Sequence, residues 1–151
     1  GMIGEAHEPE THLLPNVLKA TLDGGDALKV FGNDYDTPDG TCIRDYIHVV
    51  DLAKAHVVAL QRLLHNKNTN NYETFNIGTG KGSTVLEVIK SFEKVSGKQL
   101  NYKFAPRREG DVIQAYADTT KANNELGWKA DSSLDDAMLS AWNWEKQIRN
   151  I

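Results

Sequence analysis

The feature that most restricts the fold of this chain is an alternation between segments with helical spacing of apolar residues and short segments of strand composition. Strands are predicted at residues 28–31, 42–49, 72–77, 100–104 and 112–116. Helices are predicted to begin after Thr11, Asp51, Thr84 and Ser132 or Ser133, with a short helix at residues 121–126. The sequence therefore predicts one domain over residues 1–151 with a mixed α+β fold of the α/β class, and with more helix than strand.

The spacing of apolar residues also predicts the buried face of each helix. The first helix, ended by Gly24-Gly25, is predicted to bury Leu14, Val17, Leu18 and Leu22. The second is predicted to bury Leu52, Ala55, His56, Ala59, Leu60 and Leu63. In the third, a capping box of Thr84 and Glu87 precedes Val85, Val88, Ile89 and Phe92, and Gly97 ends the helix. The last carries Leu134, Ala137, Met138, Ala141 and Trp142.

Composition and charge exclude several classes of protein. The chain has 151 residues, 40% hydrophobic and 25% charged, which is typical of globular proteins rather than disordered ones. A formal net charge of -4 gives no general attraction to nucleic acid or to anionic membranes, so neither is expected as a partner. The single cysteine, Cys42, cannot form an internal disulfide, which favours a cytoplasmic protein. The five histidines show no metal-binding spacing.

Three arginines lie beside predicted turns or strand ends, and they are candidates for binding an anion. Arg44 lies in Cys42-Ile-Arg-Asp-Tyr-Ile-His48, and Arg107-Arg108 lies in Ala105-Pro-Arg-Arg-Glu-Gly-Asp111. Guanidinium groups match the geometry of phosphate, a carboxylate such as Asp111 can accept from ribose hydroxyls, and a ring such as Phe31 can stack on a base. These are the parts of a nucleoside diphosphate site. The alternative, more common among isolated basic pairs, is that each arginine pairs with Asp45 or Glu109 on a solvated surface.

Residues 31–56 carry a resemblance to a known family. The segment Phe31-Gly-Asn-Asp-Tyr-Asp-Thr-Pro-Asp-Gly-Thr-Cys-Ile-Arg-Asp-Tyr-Ile-His-Val-Val-Asp-Leu-Ala-Lys-Ala-His56 resembles a signature of UDP-glucose 4-epimerases, which are extended short-chain dehydrogenase/reductase proteins. Further matches follow in the same order at Phe75-Asn-Ile-Gly-Thr-Gly80, Ala105-Pro-Arg-Arg-Glu-Gly-Asp111 and Glu125-Leu-Gly-Trp128. The resemblance covers essentially the whole chain, and it is to the carboxy-terminal, UDP-sugar-binding half of the family.

The resemblance implies a role for seven residues. Arg44 and Arg108 correspond to the family's diphosphate-binding arginines, whereas Arg107 is expected to be a structural neighbour. The nucleotide is contacted near His12, where some members have Asn, and near Leu13; Phe31 lies beside the uracil and Asp111 binds the ribose. Ala115 corresponds to the position that limits the sugar 2-substituent. A small residue there implies that UDP-N-acetylhexosamines are accepted as well as UDP-glucose and UDP-galactose.

The residues that carry out the redox chemistry of the family are not found in this sequence. That chemistry uses NAD, a glycine-rich phosphate turn, and a Tyr with a Lys four residues later as the base. None of the five tyrosines has a lysine at that spacing, and Gly78-Thr-Gly-Lys-Gly82 has Ser83 where the dinucleotide fingerprint needs its third glycine. This turn is therefore expected to be structural. The chain alone is expected to bind no NAD and to catalyse no reaction.

The resemblance also implies partners. An amino-terminal Rossmann domain would cover the 72–77 strand and parts of the second and last helices, and without it the exposed apolar surface predicts self-association. Two alternatives to an epimerase part remain open from the sequence. One is a non-catalytic nucleotide-sugar-binding or interaction module, and the other is half of a related UDP-pentose or UDP-uronate epimerase.

Overall fold

The computed structural model describes residues 12–22 and 27–150, which form helices packed on small sheets. The helices are α1 (Leu13–Leu22), α2 (Val49–Leu64), α3 (Val85–Ser96) and α4 (Leu134–Arg149), with a π-helical turn at Ala122–Leu126. The strands are β1 (Leu28–Phe31), β2 (Ile43–Arg44), β3 (Ser83–Thr84), β4 (Tyr102–Ala105) and β5 (Gln114–Ala115). The prediction of a mixed α/β fold with more helix than strand is confirmed. Thr11 and Gly24-Gly25, predicted to bound the first helix, lie outside the described residues.

The strands form two sheets. In the first, β1 and β4 run parallel, with Val30 opposite Phe104. In the second, β2 lies in the centre, antiparallel to β3 and parallel to β5, so that Arg44 is paired with Ser83 on one side and Ala115 on the other. The predicted strands at 42–49 and 112–116 are both reduced to two paired residues. After Arg44 the chain leaves the ladder because α2 begins at Val49.

The main core lies where α1, α3 and α4 pack over β1. Its fully or nearly buried members come from the predicted helix faces and from β1: Val17, Leu18, Val30, Val88, Ile89, Phe92, Met138 and Trp142. The Phe92 and Trp142 rings meet edge to face, with centroids 5.6 Å apart. The predicted buried faces of α1, α3 and α4 are therefore confirmed. Truncating a large side chain in such a core typically costs about 2–5 kcal/mol.

Side-chain caps fix the beginnings of α3 and α4. Thr84 and Glu87 form the predicted capping box of α3, and Gly97 ends that helix in the left-handed conformation with φ of 67°. For α4, of the two candidate caps, Ser133 accepts from the Asp136 N–H while the Asp136 carboxylate accepts from the Ser133 N–H. Each such cap contributes roughly 0.5–2 kcal/mol and sets the residue at which its helix starts.

The cap of α2 differs from the prediction. His48, not Asp51, is the N-cap, and its Nδ1 accepts from the Val50 N–H at 3.0 Å. The Asp51 carboxylate is fully buried in the first turn, where it accepts from the backbone N–H groups of Asp131 at 3.1 Å and Ser132 at 2.7 Å. Asp51 thus joins the start of α2 to the loop before α4.

The predicted buried face of α2 is also largely wrong. Among its predicted members only Ala55 is buried, whereas Leu60 and Leu63 are more than half exposed. The face turned inward carries Asp51, Ala55 and Arg62, and its orientation is fixed by the hydrogen bonds that Asp51 and Arg62 make. Arg62 binds Glu73 through two hydrogen bonds of 2.7 and 2.9 Å. Buried charges need such partners, so they dictate the rotation of the helix.

Residues 72–77, predicted as a strand, are extended but belong to no sheet among the described residues. Glu73 within this segment is held by Arg62, and the Phe75 ring receives the Lys121 ammonium 4.6 Å from its centroid. A strand needs a neighbour to supply its ladder hydrogen bonds, and no described strand lies beside this segment. The segment is therefore tied to α2 through Arg62 and to Lys121, whose ammonium also donates to the Thr74 carbonyl at 3.0 Å.

The buried Asp51 carboxylate makes stability depend on pH. Burial opposes its ionisation, but the hydrogen bonds from Ser132, Lys54 and Asp131 outweigh that effect and lower the pKa of Asp51 from 3.8 to about 2. A folded-state pKa below the unfolded value contributes stability that is present above pH 4 and is lost as the pH falls towards 2.

We expect Asp51→Asn to lower the free energy of unfolding at pH 7 by about 1.5–3 kcal/mol, because a hydrogen-bonded charge is lost. The variant should also lose less stability than the wild type between pH 4 and pH 2. Urea unfolding at pH 7, 4 and 2.5 measures both effects, with Asp36→Asn at an exposed position as the control. Equal pH dependence in wild type and Asp51→Asn would show that Asp51 does not ionise as described.

Candidate functional site

A cleft of about 640 Å³ opens between the start of α1, β1, β2 and the turn after β4. It is lined by six of the seven residues predicted as a site: His12, Leu13, Phe31, Arg44, Arg108 and Asp111. Lys19 and Lys29 also line it, so the lining of the cleft contains four cationic side chains and one carboxylate. Such an excess of positive charge in a concave surface favours an anionic ligand.

Arg108 and Asp111 form the polar centre of the cleft. The Arg108 guanidinium donates from Nε to Asp111 Oδ2 at 2.9 Å and from Nη2 to Oδ1 at 3.2 Å. Gly110, with φ of 82°, makes the turn between them, in which the Asp111 N–H donates to the Arg108 carbonyl. The hydrogen bonds to Asp111 raise the pKa of Arg108 above its usual value, so this group stays cationic.

The Arg108 guanidinium also lies over the Phe31 ring, 4.9 Å from its centroid. Stacking on an aromatic face holds the planar group in one orientation without using its donors. Two of its five N–H donors are used by Asp111, and three remain for a ligand. Asp111, which has about four acceptor positions, likewise keeps capacity for two hydroxyl groups.

Arg44 approaches the same carboxylate from β2. Its Nη1 donates to the carbonyls of Ile43 at 2.7 Å and Val112 at 3.0 Å, and its Nη2 lies 3.6 Å from Asp111 Oδ1. Its side chain is 27% exposed, against 54% for Arg108, so Arg44 is the more firmly enclosed of the two. The structure thus brings two guanidinium groups to one carboxylate, and neither pairs with the sequence neighbour, Asp45 or Glu109, that the surface alternative required.

Arg107 points away from this cluster. Its Nε donates to Asp34 Oδ1 at 2.7 Å, and its guanidinium lies 4.1 Å from the centroid of the Tyr35 ring. Arg107 and Arg108, adjacent in the chain, therefore lie in different environments, and only Arg108 lines the cleft. Ala115, the seventh predicted site residue, is exposed on β5 beside Arg44 and does not line the cleft.

Tyr46 is the clearest site residue that the sequence predictions missed. It lines the cleft, and burial raises the pKa of its phenol to about 12, so its hydroxyl is neutral and can donate at neutral pH. In an extended segment, residues two apart lie on the same side, so the prediction of Arg44 as a site residue could also have indicated Tyr46. The same spacing relates Lys29 to Phe31 in β1. Asn16 and Lys19 follow Leu13 along α1 and had no such signal.

The Gly78-Thr-Gly-Lys-Gly82 turn wraps around Asp45 rather than presenting its N–H groups to solvent. The backbone N–H groups of Thr79 and Gly80 donate to the Asp45 carboxylate, as does the Thr79 hydroxyl. These donors are therefore not available to the pyrophosphate of a dinucleotide. The residues of this chain do not fit NAD at this turn, and no step of a redox reaction can be assigned to them.

Over residues 12–22 and 27–150, no group of three or more His, Cys, Asp or Glu side chains is arranged to hold a metal ion. In the same part of the chain, every helix is too short or too polar to cross a membrane.

Comparison with known proteins places the chain in a family. Residues 4–140 match the family model described as GDP-mannose 4,6 dehydratase. A UDP-glucose 4-epimerase from Lactobacillus helveticus is 47% identical over 97% of this chain. The solved UDP-glucose 4-epimerase of Stenotrophomonas maltophila, with bound NAD and formylated UDP-arabinopyranose, is 40% identical over 97% of this chain with a TM-score of 0.90. That of Bifidobacterium longum, in complex with NAD+ and UDP, is 46% identical over 92% of it with a TM-score of 0.83.

The chain spans less than half the length of these relatives. It covers 44% of the Lactobacillus helveticus protein, 43% of the Stenotrophomonas maltophila chain and 40% of the Bifidobacterium longum chain. The family model, in contrast, matches well over half of this chain. The chain therefore belongs to the GDP-mannose 4,6 dehydratase family, and it matches the carboxy-terminal domain of UDP-glucose 4-epimerases.

Proposed function

We propose that this chain is the UDP-sugar-binding part of an NAD-dependent UDP-glucose 4-epimerase, the enzyme that interconverts UDP-glucose and UDP-galactose. The observation that carries the proposal is the cluster of Arg44 and Arg108 around Asp111, beside Phe31, in one cationic cleft. Its supporting evidence is the similarity to epimerases solved with UDP or a UDP-sugar.

In the proposed complex each part of the nucleotide meets a group of matching chemistry. The diphosphate receives the remaining N–H donors of Arg44 and Arg108, and the ribose hydroxyls donate to the remaining acceptor positions of Asp111. The uracil lies beside Phe31, and His12 and Leu13 contact the nucleotide from the start of α1. The Tyr46 hydroxyl is an additional donor towards the phosphates.

The chain alone is proposed to bind without turnover. The sequence holds neither a glycine-rich dinucleotide turn nor a Tyr with a Lys four residues later. In the whole enzyme, NAD supplies the transient oxidation of the sugar, and the residues that hold it belong to an amino-terminal domain outside this sequence. This chain contributes the orientation of the nucleotide, which in turn orients the sugar.

Thermal unfolding with and without millimolar UDP tests the proposal. A ligand that binds only the folded form stabilises it by RT ln(1 + [L]/Kd), about 2.7 kcal/mol at a hundredfold excess over Kd. We expect UDP to raise the transition temperature of the wild type, and Arg108→Lys to weaken UDP binding by about tenfold or more, because lysine cannot replace the bidentate geometry.

Arg107→Lys is the matched control for this experiment. It makes the same chemical change at the adjacent residue, whose side chain binds Asp34 outside the cleft. Its response to UDP should equal that of the wild type. A cooperative transition that ignores UDP in the wild type would refute binding by this chain, and equal losses in both variants would refute the assignment of Arg108.

We further propose that Ala115 leaves room for an N-acetyl group on the sugar. Its support is the small side chain on β5 directly beside Arg44, where a sugar attached to the diphosphate would lie. In a full-length enzyme carrying this domain, we expect turnover of UDP-N-acetylglucosamine, and Ala115→Tyr should abolish it while sparing UDP-galactose. Turnover of UDP-N-acetylglucosamine by Ala115→Tyr, or no turnover of it by the parent enzyme, would contradict the proposal.

We infer that the outer face of α2, defined by Val57, Leu60 and Leu64, packs against the amino-terminal domain in the whole enzyme and against a second copy in this chain alone. These residues follow each other at intervals of three and four, so they lie on one side of the helix. They are 55%, 56% and 69% exposed, respectively. A stripe of large apolar side chains this exposed favours association over hydration.

Light scattering at 10–200 µM protein tests this inference, a range of about twentyfold that covers weak association. The wild type should show a mass above the 16.8 kDa of one chain, rising with concentration. A Leu60→Glu, Leu64→Glu double variant should remain a monomer, whereas Phe104→Glu, which changes an exposed apolar ring on β4, should not alter the mass. A wild type that stays monomeric throughout would overturn the self-association.

A further inference from the structure

Asp45 lies next to Arg44 in the chain and receives hydrogen bonds from two other parts of the structure. The Thr79 N–H donates to it at 2.9 Å, the Thr79 hydroxyl at 2.6 Å and the Gly80 N–H at 3.3 Å. On another side, the Ala117 N–H donates to Asp45 Oδ2 at 3.1 Å. One carboxylate therefore satisfies three backbone N–H groups and one hydroxyl, which leaves little of its acceptor capacity free.

These donors flank the two strands that pair with β2. Thr79 and Gly80 come shortly before β3, and Ala117 comes two residues after β5. Each strand of this sheet has only two residues, so the ladder itself supplies few hydrogen bonds. The Asp45 carboxylate thus fastens all three strands at one end of the sheet. These N–H groups are partly buried, so loss of their acceptor would leave them unpaired where the ladder ends.

The turn before β3 is shaped to fit this carboxylate. A Cβ atom at Gly78 would collide with Asp45 Oδ2 and lie 2.7 Å from the Ala117 Cβ. Gly80 has φ of 71°, which lets its N–H turn towards the carboxylate. Glycine is therefore required at Gly78 by the close approach of Asp45 and at Gly80 by the left-handed backbone.

The position of Arg44 depends on this sheet. Its Nη1 is held by the carbonyl of Ile43 in β2 and by the carbonyl of Val112, which precedes β5. A shift of β5 relative to β2 would break the bond to Val112 and change the 3.6 Å separation between Arg44 and Asp111. Asp45 holds β5 to β2 through Ala117, after the strand, and Arg44 binds the same pair of strands through Val112, before it. Loss of the Asp45 contacts would therefore loosen the pairing on which the position of Arg44 depends.

We propose that Asp45 is a positioning residue for the phosphate-binding Arg44. The proposal rests on the proposed function, because it assigns the guanidinium of Arg44 to the diphosphate of the ligand. Asp45 is not in a position to contact the ligand itself, because it does not line the cleft and its acceptors face the Gly78–Gly82 turn and Ala117. Its effect on binding is therefore transmitted through Arg44.

A residue that positions Arg44 should affect binding of the phosphates and not binding of the nucleoside. We expect Asp45→Asn to weaken UDP binding by about tenfold, as for the loss of one charge-assisted hydrogen bond, and to change uridine binding less than about twofold. Ligand-observed NMR titration measures both affinities at a temperature where circular dichroism shows each variant folded. Equal losses for UDP and uridine would mean general loosening of the fold and would overturn the proposal.

A double-mutant cycle tests transmission through Arg44. In an Arg44→Met background, Asp45→Asn should cause no further loss of UDP affinity, because the guanidinium it positions is already absent. Additive losses would overturn the proposal. Asp51→Asn is the matched control: it alters another carboxylate that accepts backbone N–H groups, but at a place that does not line the cleft, and it should leave UDP affinity unchanged.

The milder variant Thr79→Val removes one of the donors to Asp45 and serves if Asp45→Asn fails to fold. It should give a smaller, phosphate-specific loss of affinity, and an unchanged UDP affinity would count against the proposal. Different results would overturn the proposed function and the positioning role of Asp45. A wild type that binds no UDP overturns the proposed function and this inference with it, whereas a wild type and an Asp45→Asn variant that bind UDP equally overturn the inference alone.

Discussion

Partly or fully buried carboxylates accept the backbone hydrogen bonds that longer strands would satisfy in a larger sheet. The central sheet has strands of two residues, and the loops around it leave backbone N–H groups that need acceptors. Asp39 accepts from the loop before β2, Asp45 from the segments around β3 and β5, and Asp51 from the loop before α4. Of the three, Asp45 acts on the segments beside Arg44 and so on the geometry of the cleft, whereas Asp51 joins α2 to the loop before α4 away from it.

The chemistry of the cleft follows from that framework. Two guanidinium groups converge on one carboxylate, which leaves a surplus of positive charge and of N–H donors. In the proposed complex a diphosphate neutralises the surplus charge, and Asp111 accepts hydroxyl groups of the ribose beside it. The relatives solved with UDP or a UDP-sugar are more than twice as long as this chain, and the exposed outer face of α2 is the surface proposed above to pack against the rest of such a protein.

The sequence predicted the elements whose signals are local, and it missed those set by distant partners. The caps at Thr84 and Ser133 and the core faces of α1, α3 and α4 follow from spacing within one helix. The rotation of α2 was mispredicted because Arg62 finds its partner, Glu73, eleven residues away in a segment without regular structure. Residues 72–77 have strand composition but no neighbouring strand among the described residues. Six of the seven predicted site residues meet in one cleft. Side-chain chemistry had suggested Phe31, Arg44, Arg108 and Asp111, and the family resemblance gave them roles and added His12 and Leu13.

The most direct measurement of the central claim is a map of UDP-induced chemical-shift changes in the isotopically labelled chain. The nucleotide site described above predicts saturable changes at the Phe31 ring, at the guanidinium Nε–H signals of Arg44 and Arg108, and at the backbone of Asp111. The signal of Arg107, which is bound to Asp34, should stay in place. Saturable changes confined to other residues, or none at millimolar UDP, would contradict the assignment of this cleft to a nucleoside diphosphate.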